Sequence, residues 1–311
     1  MLKQLCRHWL GVFCLVAIIK NGNAQAPAFG EPVDLGEIES SAIREASGLV
    51  ASRQNASVLW THNDSGDKNV IYAINDRGKL LGVYTLARAY ARDWEDIALG
   101  PGPEEGRHYL YIGDIGNNDA RYRVQYIFRV PEPIVSAEQA PVHEKLAGVE
   151  GISFSYPERN HDAETLMLDS VTKDLYVVTK RDSNVIVFRA PYPQSTTEKI
   201  ELEQVGKLPF AMAVAGDISA AGDEILIKTY DSIYYWKRAA GQTVAQALAQ
   251  TPQRVPYFLE PQGEAVAWKA DAEGYFTLSE EFMGIAAHLY FYPRLKQLAP
   301  KNKVRRAVQT Q

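Results

Sequence analysis

Glu164-Thr165-Leu166-Met167-Leu168, then Leu175-Tyr176-Val177-Val178-Thr179-Lys180, then Val185-Ile186-Val187-Phe188 form three short apolar runs divided by polar turns. Runs of that length, rich in β-branched and aromatic residues and bounded by Asp, Asn and charged residues, are strand signals. The same three-part unit recurs on both sides of this stretch. Upstream it reads Ser47–Ala51, Val58–Asp64 and Val70–Ile74, then Glu95–Leu99, Tyr109–Asp114 and Tyr126–Val130. Downstream it reads Gly216–Ala220, Ile225–Tyr230 and Ile233–Trp236, then Glu264–Trp268, Tyr275–Glu280 and Leu289–Phe291. Anchors at Leu49, Ile97, Leu166, Ile218 and Val266 give spacings of 48, 69, 52 and 48. Periods near fifty residues mark repeat folds.

A fourth, outer strand follows the first four units, at Leu80–Leu86, Gly151–Tyr156, Gln204–Phe210 and Arg254–Leu259. None follows the fifth, and Pro32–Ile38, ahead of the first unit, supplies it. The expected fold is all-β, a five-bladed β-propeller closed by its N-terminal strand, with six blades as the alternative; closure removes the exposed sheet edges. The long interval contains Pro131–Gly148, which reads as a surface insertion.

Lys3 and Arg7, the apolar run Trp9–Ile19, and the small residues around Ala24 have the order of a secretory signal. An apolar run of that length is well short of the roughly 20 residues that span a bilayer. The expected organisation is a signal peptide over 1–24, a propeller over 25–293 and a basic, partly disordered tail over 294–311. The expected location is secreted or periplasmic. Both cysteines, Cys6 and Cys14, fall in the leader, so the remainder has no disulfide and no thiol ligand. Loss of Lys3, Arg7 and Lys20 moves the formal charge from −5 to −8, against nucleic acid as a partner. The protein is expected to be a monomer with no membrane span, binding a small anionic ligand or substrate.

In an antiparallel blade, the start of the inner strand shares an end with the loop between the second and third strands. Ser47, Glu95, Glu164, Glu264 and, in the fourth unit, Asp217 form an inner ring there. Asp64, Asp114, Lys180, Arg181, Lys228 and Glu280 form an outer one, and His62 joins it beside Asp64. Converging carboxylates repel, so protons or a cation must relieve them. Hard oxygen donors favour calcium. Ser47, Glu95, Glu164, Asp217 and Glu264 are the expected metal ligands. Asn63-Asp64-Ser65-Gly66-Asp67 lacks the distal glutamate of an EF-hand and reads as a tight turn.

The openings Ser47-Gly48-Leu49, Glu95-Asp96-Ile97, Glu164-Thr165-Leu166 and Glu264-Ala265-Val266 resemble the axial metal ring of the five-bladed calcium-activated nucleotidases (apyrases). That resemblance implies a calcium ion among serine and glutamate side chains, and hydrolysis of nucleoside di- and triphosphates. The fourth unit departs from it, with Gly216 in the ligand slot and Asp217 displaced by one. Glu45-Ala46-Ser47-Gly48-Leu49 and Asp162-Ala163-Glu164-Thr165-Leu166 resemble secreted bacterial propellers, more distantly similar to gluconolactonase-like and phytase-like enzymes. No nucleophile elbow, zinc-protease helix, P-loop or dinucleotide fingerprint is present. The chemistry left is metal-assisted hydrolysis of a small anionic ester or phosphoester. Asp93, Asp96 and Asp162 are the candidate bases. His62, Asp64, Asp114, Lys180, Arg181, Lys228 and Glu280 are the candidate substrate contacts. A non-catalytic ligand- or protein-binding propeller is the alternative.

Overall fold

The computed structural model describes residues 28–296. The expected leader and most of the expected tail lie outside them. Four of the inner strands are buried along their whole length and the fifth, Trp94–Pro101, up to its last residue, because a blade packs on both faces. Strands covered on both sides read as unbroken apolar runs rather than as alternating ones.

Five sheets form five blades. Blade 1 runs outward through Ala46–Ala51, Val58–Asn63, Val70–Asn75 and Leu80–Leu86. Blade 2 uses Trp94–Pro101, His108–Asp114, Gln125–Pro131 and Glu150–Ser155. Blade 3 uses Ala163–Leu168, Leu175–Thr179, Ile186–Ala190 and Glu203–Lys207. Blade 4 uses Ala213–Ile218, Glu224–Thr229, Ile233–Lys237 and Gln253–Val255. Blade 5 uses Gly263–Trp268, Gly274–Ser279 and His288–Pro293, and its outer strand is Val33–Glu37 from the chain's beginning. Val33 and Asp34 pair with Phe291 and Tyr290, so the ring closes as expected, with five blades and not six.

The core is five hydrophobic clusters, one in each gap between neighbouring blades. The inner strands contact one another around the axis, so the blades wedge against a common centre.

Two segments are more integrated than the sequence implied. The insertion after Pro131 adds Val142–Leu146 as a parallel fifth strand beside Leu80–Leu86. Its Glu132 is buried and accepts hydrogen bonds from Trp60 Nε1 at 2.9 Å and Ser52 Oγ at 2.5 Å, tying the segment to blade 1. At the other end, Arg294 opens the expected disordered tail yet is pinned, its guanidinium 2.8 Å from Glu224 and its amide bonded to the Glu273 carbonyl.

Candidate metal centre

Each inner strand breaks register with the second strand near its start. The pairing skips Gly48, Glu95, Glu164, Val214 and Glu264 in blades 1 to 5. A bulge of this kind takes one residue out of the ladder and re-aims its side chain. Ala163, Ala213 and Gly263 pair with Thr179, Thr229 and Ser279, so Val214 holds in blade 4 the slot of Glu164 and Glu264. The expected position of Asp217 is therefore corrected. The fourth repeat begins two residues earlier than an anchor at Ile218 implies, because Gly216 rather than Ile218 matches Leu166 and Val266. Asp217 lies three residues farther down the strand, buried, where its Oδ2 accepts the Trp268 amide at 2.8 Å. Burial pushes its pKa up to about 6, against the opposing pull of the Arg53 charge.

With an apolar residue in blade 4, the acids gather on blades 5, 1 and 2. Asp64, Glu264 and Glu280 each place an oxygen within 4.8 Å of the others, and Asp64, Asp93 and Glu95 do the same. Asp64 belongs to both groups. Glu95 and Glu264, expected as ligands, are thus joined by Asp64 and Glu280, expected as substrate contacts, and by Asp93, expected as a base.

The electrostatics are those of uncompensated charge. Burial, then repulsion from Glu164, Asp64 and Asp93, raises Glu95 well above the usual carboxylate range. Burial, then Glu264 and Asp93, pushes Asp64 up to about 6. Burial, then Glu264 and Asp64, pushes Glu280 up to about 8. Asp93 is raised by burial and by Asp162.

Gly116 completes this pocket from the loop after the second strand of blade 2. A Cβ there would overlap Glu95 Oε1 and the Asp93 carboxyl, and its amide donates to the Asp93 carbonyl at 3.1 Å. Nothing in Ile115-Gly116-Asn117 distinguishes this glycine by sequence, since the close approach comes from a strand some twenty residues away.

The blade 3 and blade 4 side is neutralised from within the protein. Lys180 ion-pairs with Glu164, both buried. Burial opposes the charge on Lys180, but Glu164 outweighs it and raises the lysine pKa. Its Nζ lies 5.1 Å from the Tyr230 ring centroid, and the Tyr230 hydroxyl donates to Glu264. Glu164 therefore enters neither carboxylate triad. Ser47 lines the same end, its hydroxyl donating to the Glu95 carbonyl at 2.6 Å.

Other candidates take positioning roles. Asp96 lies in the bore, accepting amides from Ile97 at 2.8 Å, Leu166 at 2.9 Å and Gly216 at 3.3 Å, so it staples blades 2, 3 and 4. Asp162 accepts the Asn117 amide at 2.8 Å and pairs with Arg181 Nε at 2.7 Å. Asp114 Oδ1 accepts the amides of Arg92 and Asp93 at 2.9 and 2.8 Å, orienting Asp93 from behind. His62 is fully buried under the edge of Trp94, and burial pulls its pKa down to about 4, so it faces no funnel. Lys228 is equally buried, bonded to the Gly263 and Thr229 carbonyls, and burial lowers its pKa to about 8. Of the three candidate cations only Arg181 reaches solvent.

The donor set is all oxygen, carries excess negative charge and closes on a glycine with no spare volume, so these residues fit a hard divalent cation. No protein-family model matches the chain, and no curated protein matches it. Among solved structures, the chain is similar to a luciferin-regenerating enzyme at 12% identity and a TM-score of 0.43, over 85% of this chain and 96% of that one. No chemistry follows from a likeness of that size. Among the described residues, no helix is long and apolar enough to cross a membrane.

Proposed function

We propose that this protein is an exported calcium-binding propeller that hydrolyses a small anionic ester, with a phosphoester as the leading class. The observation that carries the reading is the double carboxylate triad sharing Asp64. Calcium bound there would supply a Lewis acid for a phosphoryl or carbonyl oxygen. Asp64, Asp93 and Glu95 are one set that would hold it, and Asp64, Glu264 and Glu280 are the other. The carboxylates of the set that the ion leaves free lie at the same pocket to take a proton from water. Arg181, with about half its side chain in solvent, has its Nε on Asp162 and its Nη2 on Asn118, which leaves Nη1 to meet the ligand anion. The likeness of the strand openings to calcium-activated nucleotidases supports this reading, and Val214 in blade 4 departs from that pattern. The leader-like start and the lack of cysteine beyond it support export.

A second reading, ligand binding without turnover, is favoured by the engagement of Asp96 and Asp162. Both are held by backbone amides in positioning roles.

One experiment separates the readings. The purified protein is tested against aryl phosphates, nucleoside di- and triphosphates and lactones, with calcium or with EDTA, beside Glu95→Gln. Calcium-dependent turnover that falls in Glu95→Gln by at least the roughly 10- to 100-fold that loss of a ligand's outer-shell partner costs is expected. Calcium binding without turnover of any class leaves the binder. Absence of any calcium effect on binding or melting ends both.

A further inference from the structure

The opposite mouth of the channel carries a second, oppositely charged feature. There the turns between first and second strands of all five blades converge, at 52–57, 102–107, 169–174, 219–223 and 269–273. They border an open cavity of about 340 Å³ lined by Arg53, Gly100, His108, Ser170, Ala220 and Ala270.

Glu105 and Glu273 at this mouth are exposed, and the other acids there are matched. Asp169 pairs with Arg238 at 2.8 Å, Asp223 with Lys237 at 2.6 Å, and Asp271 with Lys269. Glu132 is held by Ser52, Asn55 and Trp60. Asp217, deeper in the bore, is held by the Trp268 amide. Lys173 donates to the Gly102 carbonyl at 3.0 Å, and Arg53 is left without a charged partner of its own, its charge reaching Asp217 and Glu132 only from a distance. It enters no ion pair among the described residues, and its one hydrogen bond is a 3.5 Å contact from Nη2 to the Ile218 carbonyl. Its Nε and Nη1 are buried without a partner, as is Nδ1 of His108 on the same wall. Burial and the Arg53 charge both lower the His108 pKa, so the imidazole brings hydrogen bonding rather than charge.

A guanidinium has five donors and pairs best with two oxygens of one group. Buried donors left unpaired are costly and rare. We infer that this mouth binds a small molecule through a carboxylate or phosphate group, gripped by Arg53 with His108 and Ser170 beside it. The site lies across the bore from the carboxylate pocket and does not depend on the cation reading.

The test uses the intact protein with sodium phosphate and sodium acetate as probes, against sodium chloride at equal ionic strength. A saturable rise in melting temperature with phosphate or acetate is expected in the wild type and in Glu95→Gln, since ligand binding stabilises the folded state by mass action. Arg53→Gln is expected to weaken that binding by about tenfold or more, and Arg53→Lys, a point charge without the fork, by less. Crystals grown in phosphate should show density against Arg53, a readout that stands even if Arg53→Gln fails to fold. No saturable response to either anion, an undiminished response in Arg53→Gln, or density only at other places would overturn the inference.

Discussion

At the scale of single residues, Gly116 shows how little room the carboxylate pocket leaves. Its missing side chain is what lets Glu95 and Asp93 lie against the loop backbone. Gly116→Ala is therefore expected to push these carboxylates apart. The predicted outcome is a calcium affinity lower by about 10- to 100-fold with an unchanged far-ultraviolet spectrum. Calorimetric titration checks it, and a wild-type affinity would remove Gly116 from the site. Val214 matters as much by what it is not. A buried valine where blades 2, 3 and 5 carry Glu95, Glu164 and Glu264 leaves the acids lopsided, and Lys180 with Tyr230 covers the gap. Ser47, Glu95, Glu164 and Glu264 were legible because each opens a strand after the same kind of loop. Val214 was not, because an apolar residue at a strand start looks like any other core residue.

At the scale of elements, the repeated bulge and the closing strand do most to place the site. The bulge sits at the same end of every inner strand, so in blades 2, 3 and 5 it re-aims Glu95, Glu164 and Glu264 toward one end of the channel, while blade 1 has Gly48 and blade 4 Val214 in that slot. The outer strand of blade 5 comes from Val33–Glu37, and Asp34 also meets His288 at 3.1 Å. Removing residues through Glu37 would bare the edge of His288–Pro293 and uncover Leu35's packing on the gap between blades 5 and 1. Glu264 and Glu280 belong to that blade. Such a truncation is expected to forfeit a large part of a stability of about 5–15 kcal/mol and to aggregate through the open edge. Thermal melting followed by light scattering checks this, and an unaltered transition would show that the ring closes without the strand. The reach of the insertion after Pro131 was not legible, since a parallel strand paired with Leu80–Leu86 has no local pattern to announce it.

At the scale of the whole molecule, the pocket makes stability depend jointly on pH and cation. Glu280 is pushed up to about 8, Asp64 to about 6, and Glu95 well above its usual range. Their folded values exceed the unfolded ones of about 4, so without a cation the folded state binds more protons. Stability in EDTA should therefore fall as pH rises from about 4 to 8, most steeply across the interval set by Asp64 and Glu280. Calcium neutralises the same charges, so its stabilising effect should be larger at pH 8 than at pH 5. Melting temperatures at the two pH values, each with calcium and with EDTA, measure both slopes. A cation-free protein that gains stability from pH 5 to 8 would contradict the electrostatics described here.

From the sequence alone came the five repeats, the closing strand and the end of the channel where acids would collect. Apolar runs, turn residues and a period near fifty are local, one-dimensional signals, and a propeller is their periodic sum. Only the tertiary structure decided which carboxylates meet. The order of distances among Asp64, Asp93, Glu95, Glu264 and Glu280 depends on bulges, on the bare backbone of Gly116 and on the cations that claim Glu164 and Asp162. Those contacts cross strands within a blade or pass between blades, and a charge's partner is set by packing in three dimensions rather than by its neighbours along the chain.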